Sequence, residues 1–454
     1  MRCRGLGFWS LGLLAGVVIA ATNASSTASA QTAAGVSIDA DGVLRAKTFN
    51  DPGGEVMKER IKSAKASLDP KVASFSNLRK ISLNRLEQEI LDHQGTLTDE
   101  MRNLAGLQRV RYIFYYPDSK DIVLAGPAEG WATDVAGRTV GITTGRPVVQ
   151  LQDLVVALRT FTAAGNSSPV IGCSIDPTAE GLTALQQFTR SVHLNGPPSD
   201  DQVRTIAEGV RNSLGYQKIT VDGVSPKSHF AQVMVEADYR MKLIGIGLET
   251  PPVRMVSYID HAKPSESNGL RRWYFVPDYQ CVRESDDQLA MELVGDGVKL
   301  VGEDEVVTGT GERKAAARAS KASQAFVKSF THKYPELAAR SPVYAELRNL
   351  IDLAIAAACI QKQGYCEKAG WKMEFFGSEK EYPVETYDIP KTVESAVNVI
   401  ARSNTVSFPV GGGVVIRPTE AVEHENLLPD EKGKVSKLRE GTKVNLAKGQ
   451  FWWD

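Results

Sequence analysis

The chain has 454 residues, 42% hydrophobic and 24% charged, a globular composition that excludes collagen-like, low-complexity and wholly disordered classes. Its 53 Lys and Arg against 54 Asp and Glu leave a net charge of -1, so general attraction to nucleic acid or to an anionic membrane is excluded and any charged site must be local. The length suits two or three domains of ~100–200 residues each.

The chain opens with Arg2 and Arg4, an apolar run from Leu11 to Ala21 and the small residues Ala28-Ser29-Ala30 before Gln31. The run falls well short of the ~20 residues that span a bilayer, and its basic start and small-residue exit read as a signal peptide, residues 1–30, cleaved after Ala30. The expected location is therefore exported (periplasm, cell envelope or secreted), with no transmembrane anchor once the signal is removed.

Residues 31–195 are expected to form an N-terminal α+β domain. Val36 to Leu44 reads as strand, turn, strand. With Gly42 as the sixth position of a calcium loop, Thr48 would stand where the bidentate Glu belongs, so a hairpin turn fits better. Helices are expected at Glu55–Leu68, Ser82–His93 and Thr98–Leu107, then an aromatic hairpin, Arg109–Tyr116 with Ile122–Ala125. A helix at Leu151–Ala164, a strand at Pro169–Ile175 and a helix at Thr178–Val192, capped by Asp176, complete this part.

Asn195-Gly196-Pro197-Pro198-Ser199 is the strongest break and marks a domain boundary. A second α+β domain, 200–375, is expected beyond it. It has helices at Asp201–Leu214 and Ser228–Ile244, a strand at Tyr216–Val221, and an antiparallel meander at Arg254–Ile259, Arg271–Val276, Gln280–Arg283, Leu289–Val294 and Val298–Val301. Two long helices follow, Lys314–Lys333 and Pro342–Lys362. The C-terminal extension, 376–454, is partly extended or disordered, and its stretch from Arg417 to Gln450, polar and sparse in apolar residues, reads as an extended or mobile tail up to Phe451-Trp452-Trp453, which either docks or meets a partner. The fold class is thus α+β, mixed helices with antiparallel hairpins and at least two domains.

Cys3 leaves with the signal, so Cys173, Cys281, Cys359 and Cys366 remain in a disulfide-permissive compartment. Gly364 is placed to end the Pro342–Lys362 helix and turn the chain, making Cys359 and Cys366 the candidate disulfide, with two buried thiols as the alternative. Zinc is not expected, since there is no C-x-x-C pair and no His nearby at ligand spacing.

Catalytic signatures fail in turn. Gly172-Cys173-Ser174-Ile175-Asp176 resembles a nucleophile elbow but has Asp176 in place of the second glycine. Glu236 and Arg240 read as an i,i+4 pair on a solvated helical face, with His229 at the exposed helix start. Glu284, Asp286 and Asp287 make an acidic turn without the alternation of a calcium loop. Gly309-x-Gly311 and Gly411-Gly412-Gly413 match no phosphate-binding fingerprint, so no cofactor is expected. In the helix after Gly311, Lys314, Arg318, Lys321, Lys328 and His332 share one stripe opposite Ala322, Phe326 and Phe330. This is a candidate anion-binding face, a lysine-rich solvent face being the alternative.

Ala237-Asp238-Tyr239-Arg240-Met241-Lys242, Trp273-Tyr274-Phe275-Val276-Pro277, and Ser329-Phe330-Thr331 through Tyr334-Pro335-Glu336-Leu337 resemble an uncharacterised family of exported planctomycete-type bacterial proteins, known as a domain of unknown function. The resemblance covers the second domain and the helices after it. It implies an envelope or secreted location and brings no catalytic residues. The function expected is a non-catalytic binding or scaffold protein of the cell envelope, its partner an envelope polyanion or an envelope protein. The alternative is an envelope hydrolase with an unrecognised site, which a pocket gathering Asp238, Glu284 and a His would favour.

Overall fold

Runs of β-branched and aromatic residues alternate along the chain with amphipathic helical stretches, and the two are segregated into sheets and covering helices. The structure, a computed structural model, describes residues 33–161, 170–193, 196, 198–262, 269–307, 313–315, 320–398, 410–444 and 446–454. The expected signal peptide and Arg318 lie outside the described residues.

The chain begins with β1 (Ala33–Ile38) and β2 (Val43–Phe49), then α1 (Glu55–Ser67), α2 (Pro70–Ala73), β3 (Ser76–Ser82), α3 (Leu83–Asp92) and α4 (Asp99–Arg102). It continues through β4 (Tyr112–Tyr116), β5 (Asp121–Ala128), β6 (Trp131–Thr133), β7 (Thr139–Gly141), α5 (Leu151–Thr160), β8 (Ile171–Asp176), α6 (Ala179–Ser191), α7 (Asp200–Leu214), β9 (Tyr216–Asp222) and α8 (His229–Gly245). Next come β10 (Gly269–Pro277), β11 (Val282–Glu284), β12 (Ala290–Leu293), β13 (Val298–Val307), β14 (Arg313–Ala315), α9 (Lys321–Arg340), α10 (Pro342–Lys362) and α11 (Tyr365–Ala369). The last elements are β15 (Thr392–Glu394), β16 (Val410–Ile416), α12 (Pro418–Ala421), β17 (Leu427–Pro429), α13 (Lys434–Glu440) and β18 (Trp452–Trp453). The fold class is α+β.

One sheet has the order β1-β2-β15-β9-β8-β16-β10-β13-β14, a second the order β17-β11-β12-β4-β5-β3-β18, and β6 and β7 form a separate hairpin. Most neighbours are antiparallel; β10 with β16, β2 with β15, and β11 with β17 are parallel. Both sheets draw strands from either side of Asn195: β8 pairs with β9, and β4 with β12. The extension 376–454 contributes to both, with β15 and β16 in the first sheet and β17 and β18 in the second. The segment Phe451-Trp452-Trp453 docks: Phe451 is buried, Trp452 pairs with Ile81 and Trp453 with Lys80.

Several local expectations are corrected. The meander is divided, because β10 pairs with β13 while the β11–β12 hairpin between them reaches across to β4. Residues 254–259 make no strand; the Val256 amide instead donates to Ser329 Oγ at 3.0 Å. Thr178, not Asp176, caps α6, its Oγ1 accepting from the Gly181 amide at 3.0 Å. Asp176 is freed to hold Arg272 at 2.9 Å. The helix expected from Lys314 begins at Lys321, with Ser320 as its cap, and Lys314 lies in β14.

Beneath the sheets, α8, α9 and α10 share one apolar core, in which Phe275 meets Phe330 edge-on at 5.5 Å and Phe330 meets Tyr344 at 5.4 Å. No helix among the described residues is long and apolar enough to cross a membrane.

Candidate functional site

Helix α8 starts where Ser228 caps it, Oγ accepting from the Ala231 amide at 3.2 Å. At 100° per residue, His229, Glu236 and Arg240 fall on one stripe, while Asp238 and Lys242 fall on another, roughly opposite. The helix lies between the first sheet and α10, so both stripes are covered.

On the sheet side, Lys242 Nζ donates to Asp238 Oδ2 at 2.8 Å, to the Ile175 carbonyl at 2.9 Å and to the Gly412 carbonyl at 3.1 Å. Three acceptors for three N–H groups is a full set. It clips α8 onto β8 and β16. Burial raises the Asp238 carboxyl to about 6, against the pull of Lys242. The glycine run of β16 is what admits this strand: a Cβ at Gly413 would lie 1.8 Å from the Cys173 carbonyl, and one at Gly412 1.9 Å from the Trp273 carbonyl. Gly412 also has φ +116, a backbone that other residues rarely adopt. Burial, then the Asp238 charge, push the Cys173 thiol far up, which disfavours its thiolate. Ser174 Oγ is occupied across the ladder with Thr220 Oγ1 at 2.8 Å.

On the other side, Glu236 and Arg240 are 7% and 6% exposed, so this face is buried rather than solvated. Arg240 holds Glu249 through Nη2 at 2.7 Å and Glu236 at 3.4 Å, while Arg138 bridges Glu236 and Glu346, the latter at 3.1 Å. The network satisfies its charges internally. At the start of the same stripe, His229 Nδ1 meets Asp153 Oδ2 at 2.9 Å. Burial opposes the imidazolium, but the charge and hydrogen bond of Asp153 prevail and carry His229 to about 9. The Tyr387 ring lies 5.7 Å from the imidazole, and Gln152 Nε2 donates to Tyr387 Oη at 3.1 Å.

Gln152 and Tyr387 also line a cleft of about 520 Å³, together with Gln150, Arg102, Phe375 and Tyr382. Gln152 is 8% exposed and its Oε1 is enclosed without a hydrogen-bond partner among the described residues. The cleft is built from the start of α5, the α4 region, the β6–β7 hairpin and the irregular segment 371–391.

Asp238 and Glu284 are not brought together, since Asp238 faces Lys242 under the first sheet and Glu284 accepts from Gln363 beside the second. The expected Cys359–Cys366 disulfide is not formed: all four cysteines described are free. The chain turn at Gly364 parts them, leaving Cys359 in the field of Cys281 and Glu284 and Cys366 in that of Glu87. Of the basic stripe, Lys321, Lys328 and His332 are exposed on α9 opposite the buried Phe326 and Phe330.

Residues 173–258 match the family model described as Protein of unknown function (DUF1598). No curated protein and no solved structure matches the chain. The DUF1598 segment runs from β8 through α8 and so holds both charged stripes of that helix, together with Glu249. Their partners Asp153, Arg138, Glu346 and Gly412 lie outside it. Of the segments that carry the resemblance seen in the sequence, Ala237–Lys242 lies within DUF1598, whereas Trp273–Pro277 and Ser329–Leu337 lie beyond it. The cleft escaped the sequence reading because its walls come from four separate stretches. The buried stripe had a signal, the spacing of His229, Glu236 and Arg240 at seven and then four residues.

Proposed function

We propose that the protein is an exported, non-catalytic binding protein of the bacterial cell envelope, of the planctomycete type, and that the cleft beside Gln152 and Tyr387 takes a polar ligand. The observation that carries this reading is that the buried charges around α8 are held by partners within the protein, while the cleft is lined by amides and aromatic rings beside Arg102, Glu381 and Glu385. Export is supported by the basic start, short apolar run and Ala28-Ser29-Ala30. The exposed Lys321, Lys328 and His332 would add a weak contact with an envelope polyanion. The test is to isolate the full chain from its own envelope, release what it carries by denaturation and identify it by mass spectrometry. A defined small polar compound retained by the parent and lost in Gln150→Ala is the expected result; equal recovery from both sinks the cleft as the binding site.

One observation favours the hydrolase reading: Asp153 orients His229 through Nδ1, with Nε2 free of a partner among the described residues, the arrangement of a general acid. Held protonated to about 9, it could donate but not accept a proton at neutral pH. Turnover of an envelope polymer that His229→Gln abolishes would establish it.

A further inference from the structure

Resting on the reading of the cleft as a binding site, we propose that its ligand class is a neutral saccharide chain. A sugar ring presents two chemistries together, apolar C–H faces and hydroxyls that both donate and accept. The cleft offers both. Phe375 and Tyr382 stack at 5.3 Å with 21° between their planes, and Tyr387 adds a third ring in the wall. Gln150, Gln152, Asn103 and Thr139 bring amide and hydroxyl groups to the lining, where Gln152 Nε2 already donates to Gln150 Oε1 at 2.6 Å. The enclosed Oε1 of Gln152 has no donor among the described residues, and a turn of its amide toward the cleft would let a ligand hydroxyl satisfy it.

The charges speak against the alternatives. Arg102 is the cation of the lining and stands against Glu381 and Glu385, with Glu385 3.7 Å from it. A phosphorylated or polyanionic ligand would meet a net negative wall, with the imidazolium behind it already paired to Asp153. An extended peptide would be held by backbone pairing along a strand edge. Here the walls are mostly helix ends and irregular chain. The volume of about 520 Å³ falls in the range of clefts that enclose small molecules rather than proteins.

The experiment is calorimetric titration of the full chain with chitotetraose, cellotetraose and maltotetraose, beside glucose 6-phosphate and tetra-alanine. Binding of at least one tetrasaccharide is expected, with neither control bound. Gln150→Ala should weaken it roughly tenfold, the size of one lost hydrogen bond. Tyr387→Ala should remove it and Tyr387→Phe retain most of it, each variant checked for unchanged circular dichroism. No heat with any tetrasaccharide, preference for glucose 6-phosphate or tetra-alanine, or binding unaffected by Gln150→Ala and Tyr387→Ala overturns the proposal. The two readings fail separately. A non-saccharide carried from the envelope and lost in Gln150→Ala would leave the cleft as a binding site and remove only the ligand class.

Discussion

Helices α8 and α9 look alike in sequence, each setting charged residues at helical spacing against apolar ones, yet one buries its charges and the other exposes them. On α9, Lys321, Lys328 and His332 face solvent while Phe326, Phe330 and Tyr334 enter the core. On α8, Glu236, Asp238, Arg240 and Lys242 are all buried. What differs is the covering: α9 has the core on one side, whereas α8 has the sheet on one side and α10 on the other. A charge in the second setting is tolerable only with a partner in place, and partners come from far along the chain, Arg138 and Glu346 for one stripe, the Ile175 and Gly412 carbonyls for the other. Charge on a helix face therefore reports exposure only when nothing packs on that face.

The contrast can be broken most severely at the strand beneath α8. Gly413→Ala would drive a methyl group into the Cys173 carbonyl, backbone against backbone, with no flexible side chain to give way. A loss above about 4 kcal/mol, or no recoverable folded protein, is the expected result in urea denaturation. A near-normal midpoint would show that β16 does not lie as close to β8 as described.

Next in size is the clip itself. Lys242→Met strands Asp238 under the sheet and should cost about 3–5 kcal/mol. Adding Asp238→Leu should restore most of that, since an apolar pair of similar volume does not carry the desolvation cost. If the double variant is no better than the single one, the pair is holding the helix by more than mutual charge, and the two carbonyl contacts of Lys242 carry the weight.

The two stripes of α8 also differ in pH. Asp238 and His229 both have folded-state pKa values raised above their unfolded ones, so each binds its proton more tightly when folded and each contribution is lost as pH rises. For Asp238 the window runs from 3.8 to about 6, and for His229 from 6.5 to about 9. The His229 step should amount to about 3 kcal/mol at most. Stability measured against pH should therefore fall again above neutrality, and His229→Gln should flatten that upper limb while leaving the lower one. An unchanged upper limb would mean that the Asp153 contact does not hold the imidazolium.

Much of the fold was legible because local chemistry and packing agree. Ser228 caps α8 where the apolar period begins, and the aromatic strand at Tyr112–Tyr116 pairs through a tight turn with its neighbour. β16 was not legible, since Gly411-Gly412-Gly413 contradicts strand propensity and is explained only by backbones 173 and 273 that the sequence does not show to be near. The expected Cys359–Cys366 bridge failed for a related reason: a turn at Gly364 was visible, but not the direction in which it sends the second thiol. The cleft was invisible in principle, for Asn103, Gln152 and Tyr387 meet only after folding. The sheet-side stripe was half legible. Asp238 and Lys242 stand four apart, a spacing the sequence reading used only for Glu236 and Arg240, and the burial of the pair depends on covering strands far away in the chain.

The smallest effect is on α9, and it is the control that gives the comparison its meaning. Lys321→Gln and Lys328→Gln remove charges set at helical spacing, as those of α8 are, from a face that solvent already screens. Each should change stability by within about 0.5 kcal/mol. Their consequence, if the face meets a polyanion, lies in binding: the parent should be held on acidic liposomes at low salt and the double variant held less, the difference fading as the screening length shrinks from about 10 Å at 0.1 M salt to about 3 Å at 1 M. If parent and variant leave the liposomes at the same salt, α9 is a solvated face and nothing more. If either substitution costs as much as Lys242→Met, exposure is not what separates the two helices.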